Sequence, residues 1–453
     1  MTVTGWTAVD RARLGRLISE ERSAFVAAHP KSAQAFKRAR GALLGGVPMN
    51  WMDRWVGGFP IVLDQARGAR VTDIDGHTYI DFCLGDTGAM AGHSPEPTVA
   101  AVEKRLRHGI TAMLPSEDST WVAEELARRF GLPKWQFTLS ASDANRFAIR
   151  LARQITGRPK ILVFNYCYHG SVDESFVVLE DGKPTARAHN VGPPVDPTLT
   201  TRVVEWNDVE ALESELAQGD VACVLAEPAL TNVGIVLPEA GYHEALRAAT
   251  RRTGTLLVID ETHTMSSGPG GYTAAHGLEP DMLTVGKALA GGIPVGAFGM
   301  SDAVASRVEA AEIDDTGGIG GTLAGNVLSM AAMRATLQHV LTDSAYQRMF
   351  PLAEGFAAGV GATVESHRLP WHVVRLGARA EYGFCSPPPR NGGEAHAAWD
   401  VELDEYTHLN ALNRGVLLTP FHNMALMSPD TTREDIDRHT AVFEEGVQRL
   451  LGA

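Results

Sequence analysis

The chain has 453 residues, 44% of them hydrophobic, and a formal net charge of -14 at pH 7. A chain of this length and composition buries a large core, and we expect two or three domains. The acidic balance excludes the basic surface that nucleic-acid binding requires, so no nucleic-acid partner is expected.

The four cysteines lie far apart, at Cys83, Cys167, Cys223 and Cys385, without a C-x-x-C pair. This spacing predicts reduced thiols, no disulfide framework and no metal site. The N-terminus carries charges throughout, and no apolar run reaches the roughly 18 residues of a membrane span. We therefore expect a cytoplasmic protein with no membrane partner.

The predicted elements change character along the chain. Apolar residues at helical spacing over residues 8 to 42 predict one or two amphipathic helices, and Asp75-Gly76 predicts a hairpin turn between VTDI and TYIDF. From about residue 94 to 335, helical stretches alternate with the strand candidates WQFTL, KILVFN, VACVLAEP, TLLVIDE and MLTVGK. A mixed segment follows Val340 and ends in a helix from Thr432 to Leu451.

This alternation predicts an α/β fold with a mainly parallel sheet and crossover helices. Residues 94–335 form the large ligand-binding α/β domain in this interpretation. Residues 1–93 and 336–453 are its N-terminal and C-terminal flanks, which together make a small α+β domain.

Lys287 is the lysine with an unusual context. The other six lysines occupy polar, helical or turn positions typical of solvated charges, namely Lys31, Lys37, Lys104, Lys134, Lys160 and Lys183. Lys287 instead ends the strand candidate MLTVG and precedes the small-residue run ALAGGIPVGAFG. Its amine is predicted to lie at the carboxyl edge of the sheet, where open α/β sheets bind ligands and where a lysine can attack a carbonyl.

Further candidates follow other predicted strands. Asp260 ends the strand TLLVID, and a carboxylate there needs a partner such as a protonated pyridine nitrogen, although an ordinary helix N-cap is the alternative. Ser140, Ala141 and Ser142 begin a helix whose N-terminus suits an anion, or they form a plain N-cap. The Tyr168 ring is either a cover for a flat cofactor or a core aromatic. The glycine-rich segment around Thr322 is either a phosphate contact or a loop.

Together these segments resemble the class III aminotransferases of the pyridoxal-phosphate (PLP) fold type I, within the group of glutamate-1-semialdehyde aminomutase and the β-amino-acid aminotransferases. The resemblance runs in the family's order through DIDGHTYIDF, GHSPEP, SASDAN, YHG, AEP, VIDE, LTVGKALAGGIPVGAFG and GTLAGN. It covers most of the chain, and the separation of Asp260 and Lys287, 287 − 260 = 27 positions, is similar to the family's.

The resemblance implies a role for each matching residue. Lys287 forms the Schiff base with PLP, Asp260 bonds the ring nitrogen, Tyr168 stacks on the ring, and Ser142 with the Ala141 backbone binds the phosphate. Thr322 reaches the phosphate of the other subunit, so a homodimer is implied. The remaining PLP-binding residues implied are Ser140, His169, Glu227 and Thr262.

The chain departs from the family at two places near the cofactor. The usual serine-glycine-threonine cradle is Ser140-Ala141-Ser142, and the glutamate that follows it is Asp143. The family's valine two places after the aspartate is Thr262, whose hydroxyl can change ring packing or hydrogen bonding. Neither change removes the groups that PLP binding needs.

The resemblance predicts a ping-pong aminotransferase, which moves an amino group from a small amine donor to a carbonyl acceptor through Lys287. An aminomutase or racemase using the same residues is the first alternative, because fold and cofactor do not fix the reaction. A PLP-binding protein without turnover is the second. The intact lysine and carboxylate argue against it.

The substrate pocket is predicted from the segment GGVPMNWMDRWVGGFP. Relatives that act on amino acids place an arginine here, whereas this chain has Asn50 and Met52. An apolar lining suggests an amine donor without a carboxylate next to the reacting carbon, unless Arg54 takes the carboxylate-binding role. The pocket residues expected are Trp51, Met52, Arg54, Trp55, Asp86, Phe421 and His422.

Overall fold

The computed structural model describes residues 7–189, 195–311 and 318–452. The chain divides into two compact units. The central unit comprises the described residues of 95–346 and 389–397, and the terminal unit comprises those of 1–94, 347–388 and 398–453. Within the described ranges, no helix combines the length and the apolar character needed to cross a membrane.

The helices and strands follow one another in three stretches of the chain. Before Ser94 they are α1 (Arg11–Ala28), α2 (Pro30–Ala39), β1 (Leu63–Arg67), β2 (Arg70–Asp73) and β3 (Thr78–Asp81). From Pro95 to Val340 they are α3 (Glu96–Leu106), α4 (Glu117–Phe130), β4 (Lys134–Thr138), α5 (Ala141–Thr156), β5 (Lys160–Phe164), β6 (Val177–Glu180), β7 (Lys183–Ala186), β8 (Thr201–Val204), α6 (Val209–Leu216), β9 (Val221–Ala226), α7 (Tyr242–Thr253), β10 (Leu256–Asp260), α8 (Gly271–His276), β11 (Met282–Val285), β12 (Gly296–Met300), α9 (Asp302–Ala310) and α10 (Val327–His339). The rest are α11 (Asp343–Ser366), β13 (His372–Leu376), β14 (Arg379–Gly383), α12 (Gly392–Ala397), α13 (Val401–Leu412), β15 (Val416–Leu417), β16 (Met424–Leu426) and α14 (Arg433–Leu451).

A seven-stranded sheet forms the core of the central unit, with the order β4-β12-β11-β10-β9-β5-β8. The neighbours from β11 to β8 pair in parallel, and β12 pairs antiparallel with both β11 and β4. Every residue of β9, β10 and β11 is buried, as expected for parallel strands covered on both faces. The predicted α/β class with a mainly parallel sheet is confirmed.

The N-terminal and C-terminal segments share one sheet in the terminal unit. Strands β2 and β3 pair antiparallel around the predicted turn at Asp75-Gly76, β1 pairs antiparallel with β2, and β15 adds in parallel to β3. The last helix, α14, starts with a capping box in which Thr432 and Asp435 bond each other's backbone N–H groups. The terminal unit therefore draws the strands of this sheet from both the N-terminal and the C-terminal segment.

A histidine in the core of the terminal unit makes stability depend on pH. His439 is buried on α14, 4.2 Å between ring centroids from Phe356, and burial lowers its pKa to about 3. An unfolded histidine titrates near pH 6.5, so from about pH 6.5 down to 3 the unfolded chain binds a proton that the folded chain does not. As the pH is lowered through this window, the free energy of unfolding therefore decreases. The contribution of His439 is about 2 kcal/mol smaller at pH 5 than at neutral pH.

When the pH is lowered from about 7.5 to 5, we expect the melting temperature of the His439→Phe variant to decrease less than that of the natural protein. The phenylalanine ring keeps the aromatic packing but has no nitrogen to protonate. Scanning calorimetry at the two pH values measures the difference. An equal loss of melting temperature in both proteins would contradict the assignment.

Candidate active site

Lys287 lies just beyond β11, where the chain turns sharply. Its backbone φ is +50°, a left-handed conformation that costs a non-glycine residue on the order of 1 kcal/mol or more and that surrounding packing must hold. A Cβ on the preceding Gly286 would come within 3.0 Å of the Ala141 backbone nitrogen, so the turn packs closely on the start of α5. The half-buried Lys287 side chain places its Nζ 2.7 Å from Nε2 of His263.

Asp260 is a buried carboxylate at the carboxyl end of β10, opposite Thr284 of β11. Its Oδ2 accepts hydrogen bonds from Asn145 Nδ2 at 2.8 Å and His169 Nδ1 at 2.9 Å. Burial alone would raise its pKa, but the hydrogen bond and charge of His169, helped by Asn145, lower the pKa to about 2. The carboxylate is therefore ionised at any working pH.

His169 is the buried partner of this carboxylate. Burial opposes the charged imidazole, but the neighbouring Cys167 side chain and the Asp260 carboxylate outweigh it and raise the pKa of His169 well above its ordinary value. Its Nδ1 faces Asp260, and no group of the described residues hydrogen bonds its Nε2. The pair is thus an imidazolium and a carboxylate, each holding the other's charge in place.

Ser140 and Ser142 mark the N-terminus of the 16-residue helix α5. The Ser140 hydroxyl caps the helix by accepting from Asp143 N at 3.2 Å, and it also donates to the Asp143 carboxylate at 3.1 Å. Ser142 Oγ accepts from Ser171 N at 3.0 Å, which leaves its own proton for another partner. A Cβ at Gly170 would lie 1.9 Å from Ser142 Oγ, so this close approach requires glycine. Ser140 therefore acts as the N-cap, and the backbone of Ala141 and Ser142 is presented at the positive end of the helix.

Four other predicted PLP contacts lie in the central unit. Tyr168 is half-buried, and Thr322 is exposed on this chain. Glu227 follows β9 and is buried, with the Thr231 hydroxyl donating to its carboxylate. Thr262 is buried, and its hydroxyl has no hydrogen-bond partner within the described residues.

The predicted substrate segment forms a tight turn in the terminal unit, the 3-10 helix Asn50–Arg54. The Trp51 ring lies 5.2 Å from that of Phe421, between centroids. The Arg54 guanidinium lies 4.3 Å from the Trp51 ring, a cation–π contact. The structure thus brings three of the predicted pocket residues together.

The other predicted pocket residues differ in their surroundings. Met52 is exposed, and Trp55 and Asp86 are half-buried. His422 is buried, and its Nδ1 lies 2.8 Å from Oε1 of Glu381.

Two residues of the site were absent from the sequence prediction. Asn145 donates to Asp260 and accepts from Thr284 Oγ1 at 2.6 Å, while His263 meets Lys287. Asn145 lies one helical turn beyond Ala141, and His263 lies three residues beyond Asp260. Helical and strand-end spacing are the signals that could have found them.

The turn that carries His263 is fixed by a buried acid. The Glu261 carboxylate accepts from Thr273 N at 2.5 Å and Tyr272 N at 3.0 Å, and a Cβ on Gly271 would fall 2.4 Å from its Oε2. This anchoring holds the segment after β10 against the start of α8. His263 is therefore presented on a braced turn.

The donor set fits PLP. The cofactor has a ring nitrogen that a buried ionised carboxylate can keep protonated, a phosphate that suits a helix N-terminus, and an aldehyde that a lysine amine can attack. Asp260, the start of α5 and Lys287 supply these three groups on neighbouring parts of one sheet edge. The buried Thr262 hydroxyl and His169 Nε2 add polar atoms that no protein group satisfies among the described residues.

Residues 51–445 match the family model for Aminotransferase class-III, so the chain belongs to the class III aminotransferase family of PLP enzymes. It is 34% identical over 432 residues to a glutamate-1-semialdehyde 2,1-aminomutase of Akkermansia muciniphila, covering 93% of this chain and 99% of that protein.

Solved structures agree with this assignment. A glutamate-1-semialdehyde-aminomutase from Pseudomonas aeruginosa is 52% identical with a TM-score of 0.96, covering 98% of this chain and 100% of that one. A lysine-to-alanine variant of a glutamate-1-semialdehyde-aminomutase from that organism, solved in complex with PMP, is 51% identical with a TM-score of 0.95 and the same coverage. A β-phenylalanine aminotransferase from Variovorax paradoxus is 26% identical with a TM-score of 0.85, covering 95% and 97%. The predicted family, fold type and cofactor are confirmed: the protein is a fold type I enzyme that uses PLP.

Proposed function

We propose that this enzyme moves an amino group between two carbons of a single substrate, as a PLP-dependent 2,1-aminomutase acting on glutamate-1-semialdehyde or a closely similar amino aldehyde. One observation carries this choice over the broader aminotransferase reaction. The similarity to proteins named glutamate-1-semialdehyde 2,1-aminomutase extends over nine tenths of this chain or more and nearly the whole of those proteins.

Each site residue has a part in this reaction. Bound PLP supplies an electron sink for the negative charge that develops beside the substrate nitrogen. Lys287 holds and moves the proton at Nζ, and Asp260, fixed by His169 and Asn145, keeps a proton on the cofactor's ring nitrogen. The N-terminus of α5 and Ser142 would hold the phosphate.

His263 belongs to this proton machinery. Its Nε2 lies 2.7 Å from Lys287 Nζ and can hydrogen bond the lysine nitrogen, which holds that nitrogen in position to act as nucleophile and base. We expect His263→Ala to lower kcat on the order of 10- to 100-fold and to slow the reaction of Lys287 with acetic anhydride in the PLP-free protein. Steady-state kinetics and mass-spectrometric labelling rates measure the two effects.

The exposed His276, in the same unit, gives a matched control, and His276→Ala should change neither measurement. His263→Gln should keep a hydrogen bond to Lys287 and should restore part of kcat. Unchanged labelling and turnover in His263→Ala would remove His263 from the mechanism.

Product analysis tests the proposed reaction. The purified holoenzyme is given glutamate-1-semialdehyde with no other amine or carbonyl compound. Catalytic formation of an isomer of identical mass, over many turnovers per site, is the expected result. Conversion that stops at one equivalent per site and resumes only when a keto acid is added would replace the aminomutase with an aminotransferase.

An intermolecular aminotransferase is the second candidate, and the substrate segment favours it. Asn50 and Met52 stand where arginine is expected in relatives that act on amino acids. The Trp51 and Phe421 rings form an apolar surface suited to a bulky uncharged amine. The aminomutase reading instead assigns the substrate carboxylate to Arg54, whose guanidinium lies over Trp51.

Arg54→Ala separates the two substrate classes. If Arg54 binds the carboxylate, the variant should raise KM for the amino aldehyde or amino acids about tenfold or more, with little change for arylalkyl or aliphatic amines. Arg40→Ala is the matched control, because Arg40 also lies over an aromatic ring of the terminal unit, that of Phe36. A natural protein that prefers amines, with an Arg54→Ala variant that behaves identically, would favour the aminotransferase.

A homodimer completes the proposal. Thr322 is exposed on this chain, in keeping with a contact to the phosphate of the other subunit. The neighbouring Leu323 is also exposed, and so are two other large apolar side chains of the central unit, Met113 and Leu114. Light scattering of the purified holoenzyme should give twice the chain mass.

A further inference from the structure

A second group of chemically active side chains lies in the terminal unit and includes no residue of the candidate active site. His29 caps the C-terminal end of α1, Asp73 ends β2, and His77 follows the turn between β2 and β3. One nitrogen or oxygen from each of the three lies within 4.8 Å of the others. His29 and Asp73 are buried, whereas 43% of the His77 side chain is exposed.

The backbone orients the two buried members of this His29–Asp73–His77 cluster. His29 Nδ1 lies 2.6 Å from the Phe25 carbonyl oxygen, which can only accept, so Nδ1 carries a proton and Nε2 faces the cluster. Asp73 Oδ1 accepts from His77 N at 2.9 Å, so the other oxygen, Oδ2, faces the histidines. A metal-binding histidine characteristically donates its second N–H to a carbonyl in this way.

The inward-facing atoms of His29 and Asp73 share a single hydroxyl partner, that of Tyr79. Asp73 Oδ2 lies 3.4 Å from His29 Nε2 and 3.3 Å from His77 Nδ1. The Tyr79 hydroxyl lies 2.7 Å from His29 Nε2 and 2.8 Å from Asp73 Oδ2, but its single proton can serve one of them only. Lone pairs of His29 Nε2 and Asp73 Oδ2 therefore face a shared space, which either a second proton on His29 or a metal cation can fill.

We propose that His29 Nε2, Asp73 Oδ2 and His77 Nδ1 bind a divalent transition-metal ion of the zinc class, with solvent on the open side beside His77. Two imidazoles and a carboxylate are ligands that Zn²⁺ accepts. Bonds of about 2.0–2.1 Å in a tetrahedron place neighbouring ligand atoms roughly 3.3 Å apart, which matches the two separations from Asp73 Oδ2.

The ion ties the end of α1 to the β2–β3 turn. His29 belongs to the N-terminal helices, and the other two ligands belong to the hairpin that carries Asp75-Gly76. Binding to the folded chain alone raises the melting temperature by mass action. The site is thus structural, and it stands whether or not the proposed aminomutase reaction is correct.

Cobalt and zinc binding to the chelator-treated holoenzyme test the site. Co²⁺ is expected to give visible absorption bands typical of a low-coordinate nitrogen and oxygen site, saturating at one ion per chain, and Zn²⁺ should displace it and raise the melting temperature. His77→Ala should weaken Zn²⁺ binding tenfold or more in calorimetric titrations. His108→Ala, at an exposed histidine of the central unit, should bind as the natural protein does.

Tyr79→Phe distinguishes a metal site from a hydrogen-bonded cluster that holds only a proton. The variant removes the hydroxyl that competes for His29 Nε2 and Asp73 Oδ2, so a metal site keeps or gains Zn²⁺ affinity. Circular dichroism confirms that each variant is folded. Absence of saturable one-to-one binding in the natural protein, or equal binding by folded His77→Ala, would overturn the proposal.

Discussion

Replacing Lys287 with alanine is expected to abolish turnover, by on the order of 10³-fold or more, and to prevent borohydride from fixing PLP to the chain. Lys287 is the only lysine between positions 184 and 453, and its amine is braced by His263 at the carboxyl end of the central strands. Within the described ranges, no other lysine follows a buried strand of this sheet at that edge. Mass spectrometry of a borohydride-reduced digest locates the modified residue.

The control for this experiment is Lys183→Ala, at an exposed lysine of the same unit. It should keep the absorption of the PLP-bound enzyme, the reducible link and full turnover. A Lys287→Ala protein that still forms a covalent link reducible by borohydride would overturn the central assignment. Circular dichroism shows whether Lys287→Ala is folded. If it is not, Lys287→Arg replaces it in the same test, because the arginine keeps the positive charge but forms no reducible link to PLP.

The buried parallel strands could be predicted from the sequence because each is an apolar run long enough to cross the core. Strand β10 is buried at every residue and ends at Asp260 as predicted, and the neighbouring β11 ends just before Gly286 and Lys287. The position of the two reactive residues follows from these strand ends. Parallel order then brings them to one edge.

Strand β12 was not among the predicted strands, and its composition explains why. Its sequence GAFGM carries two glycines, which are depleted in strands. Both are required by close packing: a Cβ at Gly296 would lie 2.4 Å from the Ser140 carbonyl oxygen, and one at Gly299 would lie 2.6 Å from the Trp135 ring. Such contacts between distant segments leave no periodic trace in the sequence.

The same limit applies to the residues around the reactive pair. The spacing of Asp260 and His169 along the chain does not indicate that their side chains meet, because β5 and β10 are separated in the sheet by β9. Asn145 joins the pair from α5, and only the packing of that helix on the strands brings it there. The reactive residues can therefore be predicted from the sequence more easily than the residues that hold them in position.

Asp260→Asn is expected to lower kcat on the order of 10²-fold or more while the protein still folds. The carboxylate, with its pKa lowered to about 2, is charged at every working pH, and the amide removes that charge from the partner of the cofactor's ring nitrogen. The amide also presents its own N–H groups to Asn145 and His169, which both donate to the natural carboxylate. His169 loses the charge that holds its proton, so the pair fails together.

Asp220→Asn is the matched control, since Asp220 is also in the central unit, is paired with Arg202, and has a pKa lowered to about 2 by that arginine. It should lower the melting temperature without lowering kcat. Asp220 precedes β9 and pairs with Lys160 at the start of β5, whereas Lys287 follows the end of β11. Asp260→Glu should retain more turnover than Asp260→Asn because it keeps the negative charge. Near-normal kcat in a folded Asp260→Asn protein would mean that the ring nitrogen needs no carboxylate here, and the chemistry would then rest on Lys287 and His263.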